Sequence, residues 1–283
     1  MGGDLKGIVH HNNALKSILF FCVMDDVVLI GDSSGRGYDF VYGIYKYLKS
    51  KESRNFSVKL CDIEKTVFRD GEFKIRICEN IRRKKCFLIF DSNKPACEWF
   101  SELIFTLEAM TFSSPEEINV ILPYMRFARQ DRKDESRVSV NAKALADIIG
   151  FYGTRGMTVD LHAAGIQEYF DIPFDNLYSF PSLIDFLKEK HPNILDDLVV
   201  VSPDLGGGKR AEALVKRLNK LGIGSEVAFG YKTRAKENEV EKVVVIGDVK
   251  DKNCLIIDDI IDTGGTMIKT GQALKERGAK KVY

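Results

Sequence analysis

Short apolar runs rich in β-branched residues recur along this sequence, and stretches with helical periodicity separate most of them. That alternation constrains the fold more than any other feature. Residues 27–31, 86–90, 118–122, 157–161, 198–202, 226–230, 243–246 and 254–258 read as strands, and 73–78 alternates as a half-buried strand does. Residues 38–48, 99–110, 140–149, 164–170, 181–190, 209–221 and 266–277 read as helices. Strands and helices in this order form parallel sheets covered on both faces, so the expected class is α/β. A length of 283 residues suits one large or two modest domains. With the seam placed at 175–181, the chain divides into an extension of unknown role (1–25), a first domain (26–176) and a second (177–283).

Lys and Arg number 42 against 41 Asp and Glu, a balance that argues against a nucleic-acid binder. The apolar run 18–24 stops at Asp25-Asp26, far short of the roughly 18 residues of a membrane span. It also lacks a small-residue cleavage site, so neither a membrane nor secretion is expected. The six cysteines form no Cys-x-x-Cys pair and sit mostly in apolar or alternating segments. Buried reduced thiols in a cytoplasmic protein are the expectation.

Ligands of open α/β sheets bind outside the carboxyl ends of strands, so the residues after each strand carry the chemistry. The most informative segment is Cys254-Leu-Ile-Ile-Asp258-Asp259-Ile260-Ile261-Asp262-Thr263-Gly264-Gly265-Thr266. A hydrophobic strand ends in two acids, turns through Asp-Thr-Gly-Gly-Thr and opens a helix. Glycines let backbone N–H groups close on a phosphate, Thr hydroxyls donate, and the helix N-terminus adds positive potential. The acids would repel phosphate and suit ribose hydroxyls. A plain capped turn also uses Asp and Thr, but does not need the whole arrangement. The segment resembles the ribose-phosphate loop of the type I phosphoribosyltransferase superfamily. That likeness implies a ribose 5-phosphate on Thr263, Gly264, Gly265 and Thr266, with Asp258 and Asp259 on the sugar hydroxyls.

Gly206-Gly207-Gly208-Lys209-Arg210-Ala211 satisfies a dinucleotide fingerprint, yet the acid that should follow at the far end of the next strand is replaced by Lys232. Walker A spacing is absent too. Residues 127–134 follow a strand and are dense in charge: either a solvated loop or a grip for polyphosphate and nucleobase. Asp160-Leu161-His162 ends another strand, where a lone His is a structural hydrogen-bonder or a ligand. Lys232-Thr233-Arg234 is either an exposed charged turn or a cationic pair that closes over a transferring phosphoryl group. Phe68-Arg69-Asp70-Gly71-Glu72 is a turn before a strand.

These blocks occur in the order found in ribose-phosphate pyrophosphokinases, and from about Val27 to Tyr283 the sequence resembles that family. The resemblance implies two phosphoribosyltransferase-like domains with parallel sheets flanked by helices, ATP on the first and ribose 5-phosphate on the second. It implies transfer of the ATP diphosphoryl group to the C1 hydroxyl of the sugar. Phe68, Asp70, Glu72, Arg129, Gln130, Asp131, Asp134 and His162 match ATP-binding positions, the first three reaching a neighbouring subunit's site. Asp204, Asp258, Asp259, Asp262, Thr263, Gly264, Gly265 and Thr266 match the sugar-phosphate side. His162 and Asp204 match positions that hold Mg²⁺ or the groups it bridges, and Lys232 and Arg234 match the transition-state pair. A dimer-based homo-oligomer, up to a hexamer, is implied as well. Leu205 departs from a common His, and Asn80 from a common Ser before Arg82 in a region the family uses for allosteric phosphate. Relatives continue past Tyr283, so the second domain is expected to be truncated. A phosphoribosyltransferase shares the sugar loop but has no use for 128–133 together with 160–162. A catalytically silent regulatory homologue could lose Lys232, Arg234 or His162, all of which are present.

Overall fold

A computed structural model describes residues 27–53, 56–233 and 242–283. The extension 1–25 and the stretch 235–241 lie outside the described residues. The chain divides into two compact units, the first ending at Ser179 and the second beginning at Phe180.

The first unit holds β1 (Val27–Gly31), α1 (Tyr38–Lys49), β2 (Val58–Val67), β3 (Phe73–Ile77), β4 (Lys85–Ile89), α2 (Ala96–Phe112), β5 (Glu117–Leu122), α3 (Asn141–Tyr152), β6 (Arg155–Val159), a 3₁₀ turn Ala164–Tyr169 and β7 (Phe174–Leu177). Its sheet has the order β3-β2-β1-β4-β5-β6-β7. Both faces of the central strands are buried, which is why they are continuous apolar runs. Val28 and Ile30 of β1 face Trp99, Leu103 and Leu107 of α2 and Leu145 and Ile149 of α3, while Val27 and Leu29 face Val41, Ile44 and Leu48 of α1.

The second unit holds α4 (Phe180–Lys190), a 3₁₀ turn Pro192–Ile194, β8 (Leu198–Ser202), α5 (Gly208–Lys220), β9 (Ser225–Thr233), β10 (Lys242–Ile246), β11 (Asn253–Ile256), α6 (Gly265–Glu276) and β12 (Lys281–Val282), with sheet order β10-β9-β8-β11-β12. Leu198 and Val200 of β8 pack with Ile184 and Leu187 of α4 and Leu214 and Leu218 of α5; Val199 and Val201 pack with Ala273 and Leu274 of α6.

The structure adds to the sequence reading at the sheet edges. β2–β3 and β9–β10 are antiparallel pairs on otherwise parallel sheets. β2 and β7 escape the alternation pattern: β2 carries Lys59, Asp62, Glu64 and Lys65, and β7 is a four-residue edge strand after Pro173. Segment 164–170 is a 3₁₀ turn rather than an α-helix. Cys61, Cys86 and Cys254 are buried free thiols, with burial pushing them up to about 11, 12 and 11, whereas Cys78 and Cys97 are exposed, contrary to expectation. Among the described residues, no helix is long and apolar enough to cross a membrane.

Candidate active site

In the second unit, β8 and β11 are parallel neighbours, so the loops that follow them share the carboxyl edge of the sheet. The first is Pro203 to Gly207. Asp204 Oδ1 accepts the Gly207 N–H at 2.9 Å, and Ser202 Oγ donates to the Asp204 carbonyl at 2.6 Å. The second begins after Ile257, whose N–H donates to the Val201 carbonyl at 3.0 Å. There Asp258 Oδ1 accepts the Asp259 N–H at 2.9 Å. Burial, reinforced by the Asp259 carboxyl and by the nearby charge of Asp204, pushes Asp258 up to about 6. Arg210, in the first turn of α5, places Nη1 2.8 Å from Asp259 Oδ1 and 3.8 Å from Asp258 Oδ1.

The same loop ends at Gly264, whose φ of +75° lies in the left-handed region that favours glycine, and α6 starts immediately after it. The Gly265 N–H reaches Thr263 Oγ1 at 3.4 Å, Asp262 and Thr263 are exposed, and Thr266 is half-buried in the first turn. A helix start combined with a left-handed glycine presents N–H groups to an anion. β9 is parallel to β8, so its far end carries Lys232 toward this edge. A Cβ on Gly230 would sit 2.7 Å from the Pro203 carbonyl oxygen, so the close approach of β9 to the Asp204 loop requires glycine. The Lys232 side chain and all of Arg234 lie outside the described residues.

In the first unit the expected ATP residues fall in two groups. β2 pairs with β1 only as far as Asp62; Ile63–Val67 continue past it and pair with β3. Five such residues extend the ribbon roughly 16 Å beyond β1. At its tip the Phe68 N–H donates to Glu72 O at 2.7 Å, Asp70 Oδ1 accepts the Glu72 N–H at 3.0 Å, Gly71 has φ of +90°, and the Phe68 ring is half exposed. The ribbon base is held by Lys65, which pairs with Glu98 and the buried Glu102 of α2.

The second group follows β5 and β6. Gln130 Nε2 donates to the Arg132 carbonyl at 3.0 Å and to Asp134 Oδ1 at 3.1 Å, and that bond lowers the Asp134 carboxyl below its ordinary range. Arg129 is exposed. The Tyr169 hydroxyl donates to the Asp131 carbonyl, tying this loop to the 3₁₀ turn behind His162. Asp160 sits at φ of +51° and its Oδ1 accepts the Ser179 N–H at 3.2 Å, which sets the turn that displays the exposed His162. β1 and β4 separate β2 from β5. At about 4.8 Å per strand the strands that carry the two groups are offset by roughly 14 Å across the sheet, and the projection of the ribbon adds to the separation.

Sequence reasoning missed Arg210. The signal was there: a helix whose first turn holds Lys209 and Arg210 and no acid, against the preference of the helix dipole. Among the described residues, no group of three or more His, Cys, Asp or Glu side chains could hold a metal ion. His162 belongs to the first unit and Asp204 to the second.

Residues 40–153 match the profile of the N-terminal domain of ribose phosphate pyrophosphokinase, and 175–283 match that of the phosphoribosyl transferase domain. A ribose-phosphate pyrophosphokinase of Chlorobaculum tepidum is 43% identical over 237 residues, covering 83% of this chain and 71% of that protein. The chain belongs to the ribose-phosphate pyrophosphokinase family. A second member, from Campylobacter jejuni, is 41% identical over 249 residues, covering 87% of this chain and 78% of the relative. The crystal structure of phosphoribosylpyrophosphate synthetase from Mycobacterium smegmatis superposes with a TM-score of 0.76 at 30% identity, covering 91% of this chain and 79% of that one. The two-domain α/β fold expected from the resemblance is the fold of this family.

Proposed function

We propose that this chain transfers the diphosphoryl group of ATP to the C1 hydroxyl of D-ribose 5-phosphate, forming 5-phosphoribosyl 1-diphosphate and AMP. The observation that carries the reading is the β11–α6 loop, where an acidic pair stands beside an anion-ready helix start on one strand end. Gly264, Gly265 and the hydroxyls of Thr263 and Thr266 hold the 5-phosphate at the N-terminus of α6. Asp258, Asp259 and Asp262 accept hydrogen bonds from the sugar hydroxyls. Arg129, Gln130, Asp131, Asp134 and His162 serve the nucleotide, so the first unit is the ATP side and the second the sugar side.

The C1 oxygen attacks the β-phosphorus, the bond from that phosphorus to the oxygen bridging to the α-phosphate breaks, and AMP departs; the hydroxyl proton is lost to solvent. Such a transfer asks the protein mainly for alignment and charge neutralisation. Lys232 and Arg234 supply two positive charges for the migrating group. A bound Mg²⁺ would supply charge neutralisation for the phosphates. Mg²⁺ is commonly held by one or two carboxylates plus substrate phosphates, a donor set that a single carboxylate such as Asp204 fits. Asp204 would offer it a hard oxygen donor from the second unit, and His162 would serve it or the phosphates from the first.

The projecting 68–72 hairpin, carried by a strand offset roughly 14 Å across the sheet from the one before Arg129, serves the ATP site of a second copy, so the working enzyme is at least a homodimer. Its compartment is the cytoplasm.

Purified protein should release AMP only when ATP and ribose 5-phosphate are both present. A silent regulatory homologue releases none, and a phosphoribosyltransferase instead consumes the product and liberates diphosphate. Lys232→Ala should retain substrate binding and lose at least about a hundredfold in single-turnover rate, the cost of one transition-state charge contact. A near-normal rate removes Lys232 from the chemistry.

A further inference from the structure

The glycine run after β8 lacks Walker A spacing and the acid of a dinucleotide fingerprint, yet it has a steric task. A Cβ on Gly207 would lie 2.7 Å from Ser202 Oγ and 3.7 Å from Asp204 Oδ1, and one on Gly208 would lie 2.9 Å from the Phe229 ring. Only glycines let α5 start this close to the strand ends. The third residue of that helix is Arg210, placed where a helix disfavours a cation. Its side chain is 13% exposed and its Nη1 faces both acids of the neighbouring loop.

Asp204, Asp258 and Asp259 converge here from two loops. Three like-charged groups at one strand edge repel one another, and each must keep a fixed orientation to accept hydrogen bonds from a sugar. Resting on the sugar site proposed above, we infer that Arg210 is a positioning residue for ribose 5-phosphate: its 2.8 Å ion pair pins the Asp259 carboxylate and leaves the acidic pair ordered for the sugar hydroxyls. The residue acts through Asp259 and touches no reacting atom. The Gly206–Arg210 motif is the device that delivers it.

The test measures Arg210→Ala and Arg210→Lys beside the parent protein. Ribose 5-phosphate binding is read by calorimetry without nucleotide, and KM and kcat by AMP release. Arg210→Ala should raise the Kd and KM for ribose 5-phosphate roughly ten- to hundredfold, the range of a lost charge-assisted hydrogen bond. The KM for ATP should move by less than about twofold, because the pair acts on the sugar alone. Arg210→Lys keeps the charge without the planar fork and should recover part of the loss. An unchanged KM for the sugar, or equal rises for both substrates, overturns the inference while the parent still makes AMP. A parent that makes no AMP and binds no sugar phosphate overturns the site itself. If Arg210→Ala melts early, Arg210→Lys decides: sugar affinity equal to that of Arg210→Ala at parental melting temperature refutes the role.

Discussion

The two sheets repeat each other, and their corresponding crevices have opposite fates. β3-β2-β1-β4-β5 and β10-β9-β8-β11-β12 share strand order and the direction of every pairing. Val27 pairs with Lys85 as Leu198 pairs with Asn253, which sets Asp91 in the place of Asp259 and Gly37 in that of Gly208. In the first unit the crevice is satisfied from within. Asp91 accepts the Gly37 N–H at 2.9 Å, and Lys94 pairs with Asp32 at 2.7 Å and with the buried Glu102. Pro95, with φ of −52°, precedes its helix. In the second unit a left-handed glycine precedes the helix and the acids cluster. Loops of similar length thus fill one edge with an ammonium and leave the other with clustered acids beside a left-handed helix start, the arrangement that the proposed sugar-phosphate site needs.

If the first crevice is structural, its disturbance should be read in stability. Lys94→Ala leaves Asp32 with hydrogen bonds from Ser34 but without its cation, and removes one of the two ammonium groups held by buried Glu102. Breaking a fully buried pair costs about 3–5 kcal/mol; with Lys65 still present the expected loss is about 2–4 kcal/mol in urea unfolding. Asp259→Asn, the matching disturbance in the second unit, breaks the Arg210 pair but also relieves the repulsion that raises Asp258, so it should cost clearly less stability than Lys94→Ala while weakening ribose 5-phosphate binding. Equal stability losses for the two variants would break the comparison.

Glycine-to-alanine changes sharpen it at a smaller scale. A Cβ on Gly37 would sit 2.7 Å from Asp91 Cγ, and one on Gly207 2.7 Å from Ser202 Oγ. Each overpacks a loop by a methyl group, at a cost of about 1–3 kcal/mol. Gly37→Ala should lower the melting temperature with kcat retained. Gly207→Ala, by shifting the Asp204 loop, should lower AMP release well beyond its thermal effect. Parallel thermal melts and turnover assays decide the matter.

Local physics explains which parts of this were legible in the sequence. β1 and β8 are buried on both faces and therefore are unbroken apolar runs. β2 is illegible because half of it hangs beyond its neighbour, with Lys65 turned onto α2 rather than to water. The sugar loop is legible because strand, acids, glycines and helix start are contiguous in the chain. Arg210 is not, because its partner lies 49 residues away and only the pairing of β8 with β11 brings them together. Asp258 looks ordinary beside Asp259 in the sequence; its displacement comes from tertiary burial.

That displacement gives the most specific effect. Asp258 titrates near 6 in the folded chain against an ordinary value of 3.8. A carboxyl raised on folding binds its proton more tightly in the native state, so its favourable contribution is complete below about pH 4 and fades as pH rises through about 6. Asp258→Asn keeps a neutral group at every pH. Its melting temperature relative to the parent should therefore climb between about pH 4 and pH 6.5 and then level off. A flat difference for Asp258→Asn would place that carboxyl in the ordinary solvated range, and the chemical contrast between the two crevices would then rest on the helix starts alone.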